Sequence, residues 1–168
     1  MKKTALLCLL AFLCLLLCSC GAEKEHDPFS FRKGTFHCRF TLNAGDGFLS
    51  AGEITGENGL AVIALNGDVY ETDGKTVNLL LPEKERVSFP QNPDGGLLLP
   101  LYACFFPDPS RVTGAGTDGI TVTTDFGDLT VSFGENGAPD VLSLTGKVTF
   151  HISLTDFIKN EGVFNEKQ

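Results

Sequence analysis

The sequence predicts a mainly β fold, a single antiparallel sheet with one short apolar helix near the middle of the chain. Three observations support this. Apolar and polar side chains alternate in most segments after residue 35, Asn-Gly and Asp-Gly pairs separate these segments, and one ten-residue stretch is almost wholly apolar. Alternation with period two is typical of half-buried strands, and Asn-Gly and Asp-Gly pairs favour tight hairpin turns.

The first predicted strand shows the alternation most clearly. Phe36, Cys38, Phe40 and Leu42 occupy one face of it, and the residues between them occupy the other. The same pattern predicts nine further strands, over Leu49–Thr55, Leu60–Leu65, Asp68–Glu71, Thr76–Leu81, Arg86–Phe89, Ile120–Thr124, Leu129–Phe133, Val141–Leu144 and Val148–Leu154.

The stretch from Leu97 to Phe106 interrupts the alternation. It is too short to span a membrane and too apolar for a surface loop. A strand would have to accommodate Pro100 without an amide hydrogen, whereas a helix that begins at Leu98 or Leu99 takes proline in its first turn. We therefore expect a buried helix here, with a strand as the alternative.

The first 19 residues are expected to be an export signal. Two lysines precede an apolar run of about 15 residues, which is typical of the apolar region of a signal peptide and short of the roughly 20 that a spanning helix needs. Of the four cysteines in this region only Cys20 follows a small residue, Ser19, so Leu17-Cys18-Ser19-Cys20 resembles a bacterial lipobox. That resemblance implies a diacylglyceryl group on Cys20 and a protein held on the outer face of the cell membrane.

The chain thus divides into four predicted parts. A signal peptide covers 1–19, Cys20 and a polar tether cover 20–32, the β domain covers 33–157, and a polar tail covers 158–168. A domain of this size can bury a substantial core.

The charge balance is acidic. The chain has 13 basic and 21 acidic residues, and removal of the signal takes Lys2 and Lys3 and leaves a net charge of about −10. This argues against nucleic acid and anionic lipid headgroups as partners, since both need a clustered basic surface.

Two cysteines remain in the domain, Cys38 and Cys104. An exported chain permits a disulfide between them, but both lie among phenylalanines, where a free cysteine acts as a small buried hydrophobe. We favour two buried thiols, with a disulfide as the alternative.

The sequence gives little support for catalysis, a metal or a cofactor. It lacks the G-x-S-x-G motif, zinc-ligand spacings and the EF-hand calcium pattern. His37 and His151 fall on the outer face of predicted strands, where solvated side chains are the simplest interpretation. We expect a protein that is not an enzyme.

The order of these features resembles the small Gram-positive envelope lipoproteins with a LolA/LolB-like fold. Three stretches contribute most to the likeness: Gly52-Glu53-Ile54, the hairpin from Gly67 to Gly74, and Gly127–Phe133 with the following Asn136-Gly137-Ala138-Pro139. The resemblance covers roughly residues 33 to 157. It implies a strongly curved sheet, or half-barrel, with the helix packed in its concave face.

The resemblance also implies an apolar cavity between sheet and helix that holds a lipid or another hydrophobic ligand. The residues expected to line it are Phe36, Phe40, Leu98, Leu101 and Phe105. The alternative is an envelope lipoprotein that docks another protein and holds no ligand. A large enclosed cavity would favour the first function, and a filled core with an exposed apolar patch would favour the second.

The lipobox generates the first testable prediction. Cys20→Ser should release the protein from membranes, because the acyl chains that hold it there would be absent. Fractionation and metabolic labelling with a radioactive fatty acid check this, with Cys18→Ser as the matched control that should keep the label. A Cys20→Ser protein that still carries label and pellets with membranes would contradict the assignment.

Overall fold

The computed structural model describes residues 29–45, 47–83, 85–90, 96–116 and 119–160. The predicted signal peptide, Cys20 and the tail from residue 161 lie outside these residues. In the described part, no helix is both long and apolar enough to cross a membrane.

The described chain forms eleven strands, one α-helix and two 3-10 turns. The helix, α1, covers Leu98–Phe105, and the 3-10 turns cover Ser30–Arg32 and Pro109–Arg111. The strands are β1 Thr35–Ala44, β2 Phe48–Glu57, β3 Leu60–Leu65, β4 Asp68–Thr72, β5 Thr76–Leu80, β6 Arg86–Pro90, β7 Val112–Gly116, β8 Gly119–Thr124, β9 Gly127–Phe133, β10 Pro139–Gly146 and β11 Phe150–Asn160.

All eleven strands belong to one antiparallel sheet in the order β6-β5-β4-β3-β2-β1-β11-β10-β9-β8-β7. The first and last strands pair at its centre, so each half is a simple meander. The passage from β6 through α1 to β7 connects the two outer edges. This confirms the predicted fold class, a mainly β protein with one open antiparallel sheet and a single helix.

The sheet curves strongly around the helix. The β4–β5 turn at Gly74 and the β8–β9 turn at Phe126 lie six strand spacings apart, which is about 29 Å across a flat sheet. Both nevertheless line the same cleft of about 260 Å³ beside α1. The two halves of the sheet therefore bend toward each other over the helix.

The inward row of β1 forms the centre of the core. Phe36, Cys38, Phe40 and Leu42 are all buried, as the alternation predicts. Helix α1 packs Leu101, Cys104 and Phe105 into the same cluster with no exposed surface on any of them. Pro100 is the third residue of the helix, where its missing amide hydrogen has no intrahelical partner to lose.

The folded part is longer than the predicted 33–157 at both ends. Phe29 and Phe31, which lie in the predicted tether, are buried around the first 3-10 turn. At the other end β11 continues to Asn160, inside the predicted tail. A bulge explains this, because Arg39 pairs with Thr155 whereas His37 pairs with Ile158.

Asp156 occupies the bulge with a φ of 53°, and the extra residue turns Phe157 inward. The Phe157 ring stacks on Phe36 at 5.7 Å between centroids, and Phe31 meets it edge-on at 6.4 Å. The bulge breaks the period-two alternation that predicts β11. The predicted strand therefore ends at Leu154, whereas β11 continues to Asn160.

The sequence pattern does not predict strand β7. Its sequence, Val-Thr-Gly-Ala-Gly, has no alternation, and all five residues are exposed because the strand lies at the edge of the sheet. An edge strand with no buried face leaves no periodic apolar signal in the sequence.

A truncation in α1 tests whether the core is closed. Leu101→Ala should lower the free energy of unfolding by about 2 to 5 kcal/mol, because lost burial is compounded by a new void. Leu49→Ala is the matched control, since Leu49 is 69% exposed, and should change it by about 0.5 kcal/mol at most. Urea denaturation measures both, and similar small losses would contradict a packed core at Leu101.

Candidate functional site

The space between the helix and the sheet, where a ligand is expected from the sequence, is filled in the structure. Phe36, Phe40, Leu101 and Phe105 are at most 2% exposed. A side chain lining a void large enough for water would keep accessible surface, so these four residues line none. They are core residues, and none of the four borders a cavity between helix and sheet.

Direct ring contacts fill this interface. The Phe105 ring stacks on Phe36 at 6.2 Å and 17° between planes, and it is tilted against Phe40 at 6.1 Å. Offset and tilted arrangements at these separations are favourable for aromatic pairs. The fifth candidate, Leu98, is only partly buried at the margin of the core.

An open cleft lies instead on the other side of α1. Its volume is about 260 Å³. It is bounded by the helix, the chain that follows the helix, and turns from both halves of the sheet. Its lining residues are Gly74, Leu99, Tyr102, Ala103, Phe106, Pro107, Asp108, Arg111, Thr123, Thr124, Asp125, Phe126 and Lys147.

The floor of the cleft is aromatic. Tyr102 and Phe106 stack at 4.8 Å with 18° between their planes. The Tyr102 hydroxyl donates a hydrogen bond of 2.7 Å to the carbonyl oxygen of Gly59, in the β2–β3 turn. Burial, helped by the Asp73 carboxylate, raises the pKa of Tyr102, so the hydroxyl stays a neutral donor. The pair is therefore fixed in place and presents apolar surface to the cleft.

Gly74 packs against the Tyr102 ring. A Cβ added at Gly74 would lie 2.4 Å from Cε1 of Tyr102, so the ring packs directly on the glycine backbone. Gly74 also has a φ of +80°, which side chains rarely adopt. The β4–β5 turn thus contacts the helix through a contact that only glycine permits.

Charged side chains form the rim. Asp108 accepts hydrogen bonds from the amide and hydroxyl of Ser110, and these bonds hold the pKa of its carboxyl below the usual range. Arg111 pairs with Asp125 at 2.8 Å between Nη1 and Oδ1, which links the second 3-10 turn to the β8–β9 turn. Both partners are well exposed, so the pair adds little stability.

The remaining sequence candidates lie elsewhere. Cys38 and Cys104 are buried free cysteines, and burial raises the pKa of both thiols, that of Cys38 to about 12. His37 and His151 lie on the outer face: Nε2 of His37 is 3.7 Å from Glu53, and Nδ1 of His151 is 2.8 Å from the Ser143 hydroxyl. Over the described ranges, no three His, Cys, Asp or Glu side chains are grouped as metal ligands.

The residues predicted to bind a ligand lie on one face of the helix, whereas the cleft lies along the other. Leu99, Tyr102, Ala103 and Phe106 have the spacing i, i+3, i+4 and i+7 that marks one helical face. The face containing Leu101 and Phe105 has an equally apolar pattern, so spacing alone does not tell core from cleft. The turn residues of the cleft come from distant parts of the chain and share no motif.

No family model and no curated protein matches the chain. Among solved structures, it is similar to an uncharacterised conserved protein of Thermus thermophilus, with 12% identity over 78% of this chain and 82% of that one and a TM-score of 0.44. A LolA superfamily protein of Nitrosomonas europaea has 7% identity over 80% and 90% of the two chains and a TM-score of 0.40. At these TM-scores the likeness carries no functional argument.

A pair of glycine substitutions tests the contact between Gly74 and the helix. Gly67→Ala, at a φ of +92° with no atom within 4 Å of the new Cβ, should cost only the backbone strain of about 1 to 2 kcal/mol. Gly74→Ala adds a clash with Tyr102 to a similar strain and should cost more. Equal losses in free energy of unfolding, measured in urea, would show that the packing of Tyr102 on Gly74 contributes nothing.

Proposed function

We propose that this chain is a membrane-anchored extracytoplasmic lipoprotein that binds the apolar part of a lipid or another hydrophobic ligand in the cleft over α1. The observation that carries the proposal is the fixed aromatic floor of Tyr102 and Phe106, which stays partly open to solvent at the cleft while Leu101, Cys104 and Phe105 on the other side of the helix are buried. Ligand sites are typically concave and mainly apolar, with a few polar groups that set orientation.

The size of the cleft limits what it can hold. Its 260 Å³ is below the range of about 300 to 1,000 Å³ that is usual for pockets enclosing a small molecule. One ring or a short length of acyl chain fits, and the remainder of the ligand would extend into solvent. The proposal is therefore shallow binding of part of a ligand rather than full enclosure of a lipid.

The anchor rests on the sequence. Between Cys20 and Phe29, the first residue that the structure describes, there are eight residues, which can span at most about 28 Å. A domain on so short a tether stays beside the bilayer. A hydrophobic ligand that leaves or enters the membrane would meet it there.

The proposed role is binding without catalysis. The raised pKa of the Cys38 thiol keeps it protonated at neutral pH, and a thiol is a poor nucleophile compared with a thiolate. Cys104 has no exposed surface at all. Neither cysteine lines the cleft.

One observation favours the alternative, an envelope lipoprotein that docks another protein. The inward face of the sheet continues beyond the core onto β5 and β6, where Val77 pairs with Phe89 and Leu79 with Val87. Val87 and Phe89 are 42% and 47% exposed. Together with the closed core, these side chains supply the filled interior and exposed apolar surface that a docking protein would have.

Filling the cleft tests the proposal. The neutral fluorescent probe N-phenyl-1-naphthylamine should bind the domain from Gly21 onward, and Ala103→Trp should abolish binding because the indole occupies the space over the floor. Ala115→Trp, on the exposed edge strand β7, is the matched control and should bind as the wild type does. Fluorescence titration gives the Kd, and urea denaturation confirms that both variants fold.

Two results would count against ligand binding in the cleft. Probe binding that survives Ala103→Trp would place the site elsewhere on the domain. A wild-type protein that binds no probe would favour docking through the exposed side chains of β6.

A further inference from the structure

We infer that two copies of this chain pair side by side through strand β6, related by a two-fold axis at Val87, so that their sheets join. The inference goes beyond the proposed function, since it concerns an edge of the sheet and not the cleft. It gives the exposed apolar side chains of β6 a partner of defined chemistry, the same strand of a second copy.

The two edges of the sheet differ in how readily they can pair with another strand. The open sheet ends at β6 on one side and at β7 on the other. Strand β7 contains a register shift between Val112 and Gly114, and a bulge of this kind hinders pairing at an edge. Strand β6 pairs with β5 without any shift. Its other side is therefore a regular edge, of the kind that can add a further strand.

The hydrogen bonds of the β5–β6 hairpin show which backbone groups face that edge. The amide of Leu81 donates a hydrogen bond of 2.9 Å to the carbonyl oxygen of Glu85. Because bonded and non-bonded pairs alternate along an antiparallel ladder, Val87 bonds to β5 through its backbone, whereas Arg86 and Ser88 on either side of it do not. The amide and carbonyl groups of these two residues therefore point to the free edge.

Of the antiparallel registers centred on residues 86 to 89, one uses these groups without conflict. With the two-fold axis at Val87, Arg86 of each copy pairs with Ser88 of the other, and the amide and carbonyl groups of both residues find partners. An axis at Arg86 would place two guanidinium groups opposite each other. An axis at Ser88 would pair Arg86 with Pro90, which has no amide hydrogen to donate. An axis at Phe89 would pair Ser88 with the same proline.

The same register brings apolar side chains together on the inward face of the joined sheets. Val87 and Phe89 are 42% and 47% exposed in the single chain. Val87 lies opposite the same residue of the second copy in a non-bonded pair, where side chains approach each other most closely. Phe89 lies diagonal to that pair and within reach of it. At the ends of the contact Phe89 faces the second copy's Glu85, which is exposed, so its carboxylate stays in water.

The outer face of β6 presents no charge that would repel a second copy. Arg86 is its only charged residue, and Nη1 of Arg86 lies 3.1 Å from Oε1 of Glu71 in the same chain. The Ser88 hydroxyl donates a hydrogen bond of 2.6 Å to Oδ1 of Asn78. The net charge of −8 over the full sequence opposes association elsewhere on the surface. A neutral, self-complementary edge is therefore the place where two copies can meet.

The contact is short, so we expect a weak dimer in solution. Two copies held by the proposed lipid on Cys20 would share one membrane, which raises the effective concentration of each for the other. Association should therefore be stronger between anchored copies than between copies of the free domain.

Sedimentation equilibrium of the domain from Gly21 onward, over a concentration series up to the millimolar range, tests the pairing. The wild-type mass should rise toward twice that of the monomer. Val87→Lys should stay monomeric, because the axis would place its two ammonium groups against each other. Val112→Lys is the matched control, since Val112 is 38% exposed in the other edge strand, and should dimerise as the wild type does. Urea denaturation confirms that both variants fold.

A symmetric disulfide tests the register. The Cα atoms of a non-bonded antiparallel pair are about 4.5 Å apart, which is within the range that a disulfide can bridge. Val87→Cys should therefore oxidise to a covalent dimer, whereas Ser88→Cys should not, because its two copies lie farther from the axis. Cys38 and Cys104 are buried, so they stay outside the reaction.

The outcomes separate this inference from the proposed function. A wild-type mass that stays monomeric throughout, or a dimer that persists in Val87→Lys, would overturn pairing through β6. Faster cross-linking of Ser88→Cys than of Val87→Cys would overturn the two-fold axis at Val87. None of these measurements involves the cleft. An intact dimer that binds no hydrophobic probe would therefore count against the proposed function alone, and a monomer that binds the probe would count against the dimer alone.

Discussion

The curvature of this protein depends on phenylalanine rings that lie across glycines of the neighbouring strand. Phe36 and Phe40 in β1 face Gly56 and Gly52 in β2. A Cβ at Gly56 would lie 2.3 Å from the Phe36 ring, and one at Gly52 would lie 2.5 Å from the Phe40 ring. With glycine opposite, each ring can lie low over the sheet. That leaves room above it for Phe105, and the sheet bends around the helix that carries this residue.

This arrangement also explains why the expected ligand cavity is absent at that place. The space that the glycines leave is filled by the rings, and the remaining space is filled by α1. Four of the five residues predicted to contact a ligand are therefore among the most deeply buried residues of the core. In a helix that is apolar on every side, the same periodicity marks a face in the core and a face along a cleft. Only the packing distinguishes the two.

The strands and the helix could be predicted because burial leaves a local signal. Period two fixes the inward row of β1, and Asn58-Gly59, Asn66-Gly67, Asp73-Gly74 and Asn136-Gly137 fall between strands. The features that could not be predicted leave no local signal in the sequence. Strand β7 has no buried face, and the bulge at Asp156 shifts Phe157 to the inner side by adding one residue to the strand. The cleft could not be predicted from the sequence for a related reason. Gly74, Phe126 and Lys147 meet only when the two halves of the sheet bend together.

The attachment point of the N-terminal segment lies beside the cleft, which relates the proposed anchor to the proposed site. The Arg32 guanidinium lies over the Phe29 ring at 5.6 Å and donates a hydrogen bond of 2.8 Å to the carbonyl oxygen of Pro107. Pro107 lines the cleft. In a chain lipidated at Cys20, the tether would therefore join the domain next to the binding surface. A short tether at this position would hold the cleft near the bilayer, where amphiphiles are concentrated, so that a shallow site with weak affinity would still be occupied.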